Sequence, residues 1–279
     1  MSIEEPVSVV TPNEPLIRGV SAAAPQRLQE SRPMSLVLDH VSVQVPAVDA
    51  AIERLRDRLG LVTTPSPAAP HRHGRVYLDY SYLEVAAGAD ASLALFFLRF
   101  DQLAPTLEAL KARGLRAHAS LYEGLDGTWD NIEIDAGMAT PLPFLVRRTT
   151  PTEVAEGWPP PLAAPHPCGA EALAAVHLRV PRLGPAIAIY ERLLGSPATA
   201  LGPGGAVHRV SSGRIVLHEA ADLAPAIIGL ELRVASLGQT ERCLSALGTK
   251  TWRAEGALWA DHPGDWHLGF CEANTPLLQ

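Results

Sequence analysis

From Leu38 to Val45 apolar and polar positions alternate, with Val41, Val43 and Val45 set against Ser42 and Gln44. That is the period of a half-buried strand. After Pro46 the period changes: Val48, Ile52, Leu55 and Leu59 fall at i, i+4, i+7 and i+11, one face of a helix. Gly60 is placed to stop it. A short strand near Leu61, a strand carrying Val76, Leu78 and Tyr80, and a last one over Tyr82–Ala87 complete a βαβββ unit.

The same order recurs three times. A second unit opens with the apolar run ASLALFFLRF from Ala91, has Leu103, Leu107 and Leu110 on a helix ending near Gly114, and three strands at 116–120, 131–135 and 142–147. A third has a strand over 174–180, a helix stripe of Leu183, Ile187, Tyr190 and Leu194 stopped at Gly195, and a hairpin around Ser212-Gly213. The fourth runs from Ile227, with Leu237, Leu244 and Leu247 inward, a stop at Gly248, and strands near 249–253, 257–260 and 266–270. Val48 to Leu103 spans 55 positions and Leu183 to Leu237 spans 54, but Leu103 to Leu183 spans 80. Units one and two therefore pair, as do three and four, because a lone unit leaves sheet edges bare. The expected class is α+β, with four βαβββ modules paired into two domains, 34–150 and 168–279. The proline-dense stretch 151–167 reads as a linker.

Composition narrows the partners. A formal charge of −7 disfavours nucleic acid and anionic membrane surfaces. Hydrophobic content of 47% suffices for real cores, yet no apolar run is long enough to span a membrane. Three widely spaced cysteines, Cys168, Cys243 and Cys271, form neither a CxxC pair nor a disulfide framework, which makes a reducing cytoplasm the default. Residues 1–33 have Glu4 and Glu5 where a signal peptide needs basic residues, and read as a disordered tail. Met34 lies just before the first strand and is an expected alternative start.

His40 opens the first strand and Glu84 lies in the last strand of the same unit. An imidazole and a carboxylate on one sheet face can hold a divalent metal. The plain alternative is a strand-end histidine satisfied by backbone and a buried glutamate paired with an arginine such as Arg75. Tyr77, Tyr80, Tyr82 and Trp129 line a cavity or simply pack the sheet. His218-Glu219 followed by Asp222 starts like a zinc-protease helix but ends in Asp at a strand end. Gly202 to Gly205 is a turn, and there is no GxSxG elbow.

The paired modules, with LDHVSVQVP and RLGL at the front and YLEVAAG in the last strand, resemble the vicinal oxygen chelate superfamily, and more closely its glyoxalase-like domains. The HRHG loop, the loop with Asp126, Gly127 and Trp129, and the strand PLPFL over Pro141–Leu145 add to the resemblance. It implies a metal-assisted lyase, isomerase or dioxygenase acting on a small oxygenated molecule, with Zn, Fe, Mn or Ni and no organic cofactor. It also implies metal ligands on the first and last strands of paired modules. Carried onto this chain, those are His40 and Glu84, with His73 as third ligand or acid–base partner and Glu84 as alternative base; His71 shares the loop. The second module offers only apolar residues near the matching positions, Leu95 or Phe97 in its first strand and Phe144 in its last.

Those apolar residues, with Trp129 and Tyr82, suit a ligand pocket, so the alternative is a metal-free small-molecule binding protein of the same fold. In the second domain, aligning Pro46 with Pro181 puts His177 two places after the His40 position, on the same strand face. His218, Glu231 and His267 fall in neighbouring strands and make an alternative metal set. The expected partners are a small molecule and, at most, a second copy of the chain.

Overall fold

The computed structural model describes residues 34–65, 73–89, 92–124, 127–135, 140–149, 165–261 and 266–272. The expected tail over 1–33, His71, Asp126 and most of the linker lie outside the described residues. The first module comprises β1 (Val37–Val45), α1 (Val48–Leu59), β2 (Thr64–Pro65), β3 (His73–Tyr77) and β4 (Tyr82–Ala87). The second comprises β5 (Ser92–Arg99), α2 (Leu103–Ala112), β6 (Arg116–Gly124), β7 (Gly127–Asp135) and β8 (Phe144–Arg148). The third has β9 (Ala170–Val180), α3 (Leu183–Leu194), β10 (Thr199–Ala200), β11 (Gly205–Val210) and β12 (Gly213–Glu219). The fourth has β13 (Ala226–Val234), α4 (Leu237–Ala246), β14 (Thr251–Ala254), β15 (Ala257–Ala260) and β16 (His267–Glu272). This is the α+β class that the periodicity predicts.

In every module the first strand pairs in parallel with the last, β1 with β4, β5 with β8, β9 with β12 and β13 with β16. Modules then pair through antiparallel contacts of their first strands, β1 with β5 and β9 with β13. The two halves touch in the sheet where Ile227 of β13 faces Leu93 of β5. The helices end where the glycines stand: Gly60 caps α1 with φ 62° and Gly195 caps α3 with φ 71°, left-handed values that cost a side chain dearly.

The two halves share one core. A single cluster joins Leu38, Phe96 and Leu145 of the first half to Leu178, Tyr190 and Phe270 of the second. Polar contacts fasten the seam. The Arg58 guanidinium at the end of α1 donates to the Leu247 carbonyl just past α4 (3.2 Å), where a cation also complements the helix dipole. Arg113, after α2, does the same for the Leu193 carbonyl of α3 (3.1 Å). The Tyr190 hydroxyl donates to the Pro141 carbonyl at 2.6 Å.

Two buried histidines serve structure. His166 accepts from the Val62 N–H through Nδ1 and donates from Nε2 to the Tyr77 carbonyl, both at 2.8 Å. It pins the chain entering β9 against the first module, and burial lowers its pKa. His208 is fully buried against Tyr190, and neither of its ring nitrogens has a hydrogen-bond partner among the described residues. Burial lowers its pKa as well. Leaving two polar atoms dry costs stability, so His208→Leu should stabilise the protein by about 1–3 kcal/mol. A urea denaturation curve checks this; unchanged or reduced stability would show that the imidazole is satisfied.

Several bounds differ from the sequence reading. β6 runs on to Gly124 because its partner β7 matches it residue for residue out to the hairpin. β9 starts four residues early because Ala170 to Leu173 pair with the far end of β13. Among the described residues, no helix is long and apolar enough to cross a membrane.

Candidate functional site

Strand register decides which side chains meet. In the first half, His40 on β1 faces Tyr82 on β4 and Phe97 on β5. Tyr82 in turn faces Tyr77, and Phe97 faces Phe144. Five rings therefore form one row across five strands. The His40 imidazole is sandwiched, 4.3 Å from the Tyr82 ring at 9° and 3.8 Å from the Phe97 ring at 12°. Tyr77 and Phe144 extend the row at 6.0 and 5.6 Å. His40 Nδ1 donates to the Asp39 carboxylate at 2.8 Å, and Arg99 holds the other Asp39 oxygen at 3.3 Å. Burial, with help from Asp39 and Glu84, raises the Tyr82 phenol well above its ordinary pKa, so it stays a neutral donor.

Glu84 sits one row further along, opposite Ser42 and Arg75. It accepts from the Arg75 guanidinium at 3.3 Å and from the Ser42 hydroxyl at 3.4 Å. The pairing with Arg75 is the plain alternative of the sequence reading. His73 lies a further row on, opposite Ala86. At about 3.3 Å per residue it is roughly 13 Å along the strands from the His40 row. The structure therefore does not bring His40, Glu84 and His73 together as a ligand set. The pocket residues do gather: the Trp129 ring lies 6.3 Å from His40, with the Arg148 guanidinium 4.5 Å over its face. Arg75 lies over Tyr82 at 5.3 Å.

The second half holds a different arrangement. His177 of β9 makes two ring hydrogen bonds, one to His218 of β12 at 3.0 Å through Nδ1 and one to Glu231 of β13 at 2.7 Å through Nε2. The other Glu231 oxygen accepts from Arg214 at 2.5 Å. Arg214 and His218 share a face of β12, two residues either side of Val216, which itself faces His177. Glu231 is 3% exposed. Burial opposes its charge, yet the His177 hydrogen bond and the Arg214 guanidinium outweigh it and hold the carboxyl at about 2.

A carboxylate can only accept, so His177 Nε2 carries a proton, and Nδ1 is the nitrogen that meets His218. Burial, reinforced by His177, lowers His218 to about 4, which keeps that ring neutral. The Trp259 indole meets His177 edge-on at 5.3 Å and 75°. It can lie that close to the sheet because Gly269 has no side chain: a Cβ there would come within 3.0 Å of the indole.

As it stands the 3.0 Å contact of His177 Nδ1 with His218 Nε2 is a hydrogen bond, its proton on His218; with that proton moved to His218 Nδ1, the two nitrogens stand at the spacing of two donors to one divalent ion. Glu231 stands behind His177 rather than beside it, the place of a carboxylate that orients a ligating histidine. The donor set thus suits a divalent ion held by two imidazoles. Among the described residues no group of three or more His, Cys, Asp and Glu side chains is placed to hold one ion. His267, the fourth member expected here, is exposed at the start of β16 and meets Trp252 and Trp259 edge-on at 6.0 and 6.4 Å.

No protein-family model matches the chain, and no curated protein matches it. Solved structures do. A hypothetical protein from Staphylococcus aureus matches 86% of this chain and 100% of its own with a TM-score of 0.61 and 7% identity. The 2,3-dioxygenase LapB from Pseudomonas sp. KL28 matches 87% of this chain and 93% of its own with a TM-score of 0.64 and 17% identity. The Mn(II)-bound glyoxalase from Novosphingobium aromaticivorans matches 87% of this chain and 83% of its own with a TM-score of 0.64 and 12% identity. The chain shares its fold with this dioxygenase and this glyoxalase. At such identities the likeness extends to architecture and no further.

Sequence reasoning missed Arg214 and Trp259. Arg214 had a signal: in RIVLHE it alternates in register with His218, which puts both on one face. Trp259 had none, since its contact depends on a glycine in another strand.

Proposed function

We propose that the protein is an enzyme for a small oxygenated organic molecule, a lyase, isomerase or dioxygenase, with its reaction centre in the second half. The observation that carries this reading is the His218–His177–Glu231–Arg214 chain. An imidazole nitrogen of His177 and one of His218 face each other at ligand spacing, and a buried carboxylate bonds the other nitrogen of His177. His177 Nδ1 and His218 Nε2 would hold a divalent ion of the Zn, Fe, Mn or Ni group, which as a Lewis acid polarises a substrate oxygen. The chain's own residues do the rest. Glu231 keeps the proton on His177 Nε2, Arg214 keeps Glu231 ionised, and Trp259 limits the rotation of the His177 ring. That one structural neighbour is Mn(II)-bound supports the reading.

The test is metal uptake by chelator-stripped protein, measured by calorimetry with Mn(II), Ni(II) and Zn(II). About one equivalent should bind, His177→Ala and His218→Ala should each abolish it, and Glu231→Gln should weaken it roughly 10–100-fold. His40→Ala should leave it unchanged. Uptake that survives His177→Ala, or disappears with His40→Ala, would move the centre or remove it.

The row of rings in the first half favours a second reading for that half, a metal-free site for a flat molecule. The slot between Tyr82 and Phe97 is filled by the His40 ring itself, and the Arg75 and Arg148 guanidinium groups lie over the adjacent Tyr82 and Trp129 rings.

A further inference from the structure

The reverse face of β1 and β4, away from His40 and Glu84, carries Val43, Val45, Leu83 and Val85, all buried. Helix α1 buries Val48, Leu55 and Leu59, while the small side chains of Ala50 and Ala51, with Ala47 just before the helix, leave space beside this face. A cleft of about 210 Å³, open to solvent past the exposed Ala47, Ala50 and Arg54, lies beside the helix, its floor formed by those strand side chains, Leu55 and Trp266 from the second half. Apart from Arg54, every residue around it is apolar. Arg54 is exposed at position i+3 from Ala51, and no described residue forms an ion pair or hydrogen bond with it.

We infer that this cleft is a second ligand site, separate from the His177 centre, and that it takes a small aromatic monocarboxylate. The size argues for one ring, since a dry apolar cavity of about 150 Å³ inside a protein is enough to admit benzene. The valine and leucine floor and the flat indole of Trp266 suit a ring and give a second polar group nothing to bond. The carboxylate belongs at Arg54, whose planar fork pairs with it through two parallel hydrogen bonds. Larger residues at 50 and 51 would close the space without leaving the helix, so those two alanines keep it open.

The experiment uses the full chain with benzoate as probe and benzyl alcohol as its uncharged counterpart, each titrated by calorimetry. Benzoate should bind saturably and raise Tm. Arg54→Gln should weaken benzoate roughly tenfold or more and leave benzyl alcohol unchanged, the loss of one charge-assisted pair. Ala50→Leu should abolish binding of both and raise the Tm of the free protein, which also shows that this variant folds. His177→Ala should change neither affinity. Absence of saturable benzoate binding overturns the inference, as does binding that survives Ala50→Leu or is lost with His177→Ala.

Discussion

Replacing Glu231 with glutamine should destabilise the protein by about 3–5 kcal/mol, the largest loss expected from any single polar substitution here. Glu231 is buried and divides its two oxygens between His177 Nε2 and the Arg214 guanidinium. Glutamine keeps one acceptor and turns two donors toward whichever partner remains. If its oxygen faces His177, its amide confronts Arg214, whose side chain is only 18% exposed and loses its counter-charge. If the amide flips, the buried His177 N–H is orphaned. Chemical denaturation of Glu231→Gln, Arg214→Met and the double variant measures the coupling. The double variant should recover part of the loss, because removing a buried pair together is gentler than removing one member. Additive losses would mean that the two groups do not interact.

The same chain sets an acid limit with a definite sign. Glu231 has its folded pKa depressed to about 2 from an ordinary 4.5, so its stabilisation is full above 4.5 and is lost as pH falls toward 2. His218 is depressed to about 4 from 6.5 and is held neutral in the fold. The unfolded chain takes up that proton first, so stability falls as pH drops from about 6.5 toward 4. His166 and His208 add in the same direction. The decline should therefore begin near neutrality, before carboxylates titrate, and it should be shallower in His208→Leu.

The fold was legible because its signals are local. Pro46 and Pro181 close the first strands of their modules, Gly60 and Gly195 take left-handed caps, and Tyr82–Ala87 has the bounds its alternation predicts. The first-half site was not, because a candidate pair chosen by strand and face says nothing of register. β1 and β4 are parallel, and their pairing sets Glu84 against Ser42 rather than His40. One row is enough to hand the carboxylate to Arg75. In the second half, counting back from Pro181 placed His177 on the correct face, and β9 and β13 register brought Glu231 within reach. What counting could not show is that the carboxylate uses the far nitrogen of the ring. That depends on rotamers and on Arg214 drawing Glu231 to its own side.

Two glycine-to-alanine substitutions should have opposite effects. Gly213 begins β12 at the tight Ser212-Gly213 turn, where the Ser212 hydroxyl accepts from the Leu38 N–H at 2.8 Å and the Ser212 carbonyl accepts from the Tyr80 hydroxyl at 3.1 Å. A Cβ at 213 would be driven into the carbonyl oxygen of Ala174 on β9 and would come within 2.7 Å of Leu38 Cδ1. The first obstacle is backbone in a parallel ladder and cannot swing aside. The second is a fully buried core side chain from the other half. Gly213→Ala should therefore cost about 3 kcal/mol, the upper part of the overpacking range. Gly184, in the first turn of α3, meets nothing within 4 Å of a would-be Cβ. Gly184→Ala should stabilise by up to about 1 kcal/mol through helix propensity alone. Denaturant midpoints of the two variants decide the matter. If Gly213→Ala proved as mild as Gly184→Ala, the strand pairing of β9 with β12 would have to be looser than the contacts at this turn require.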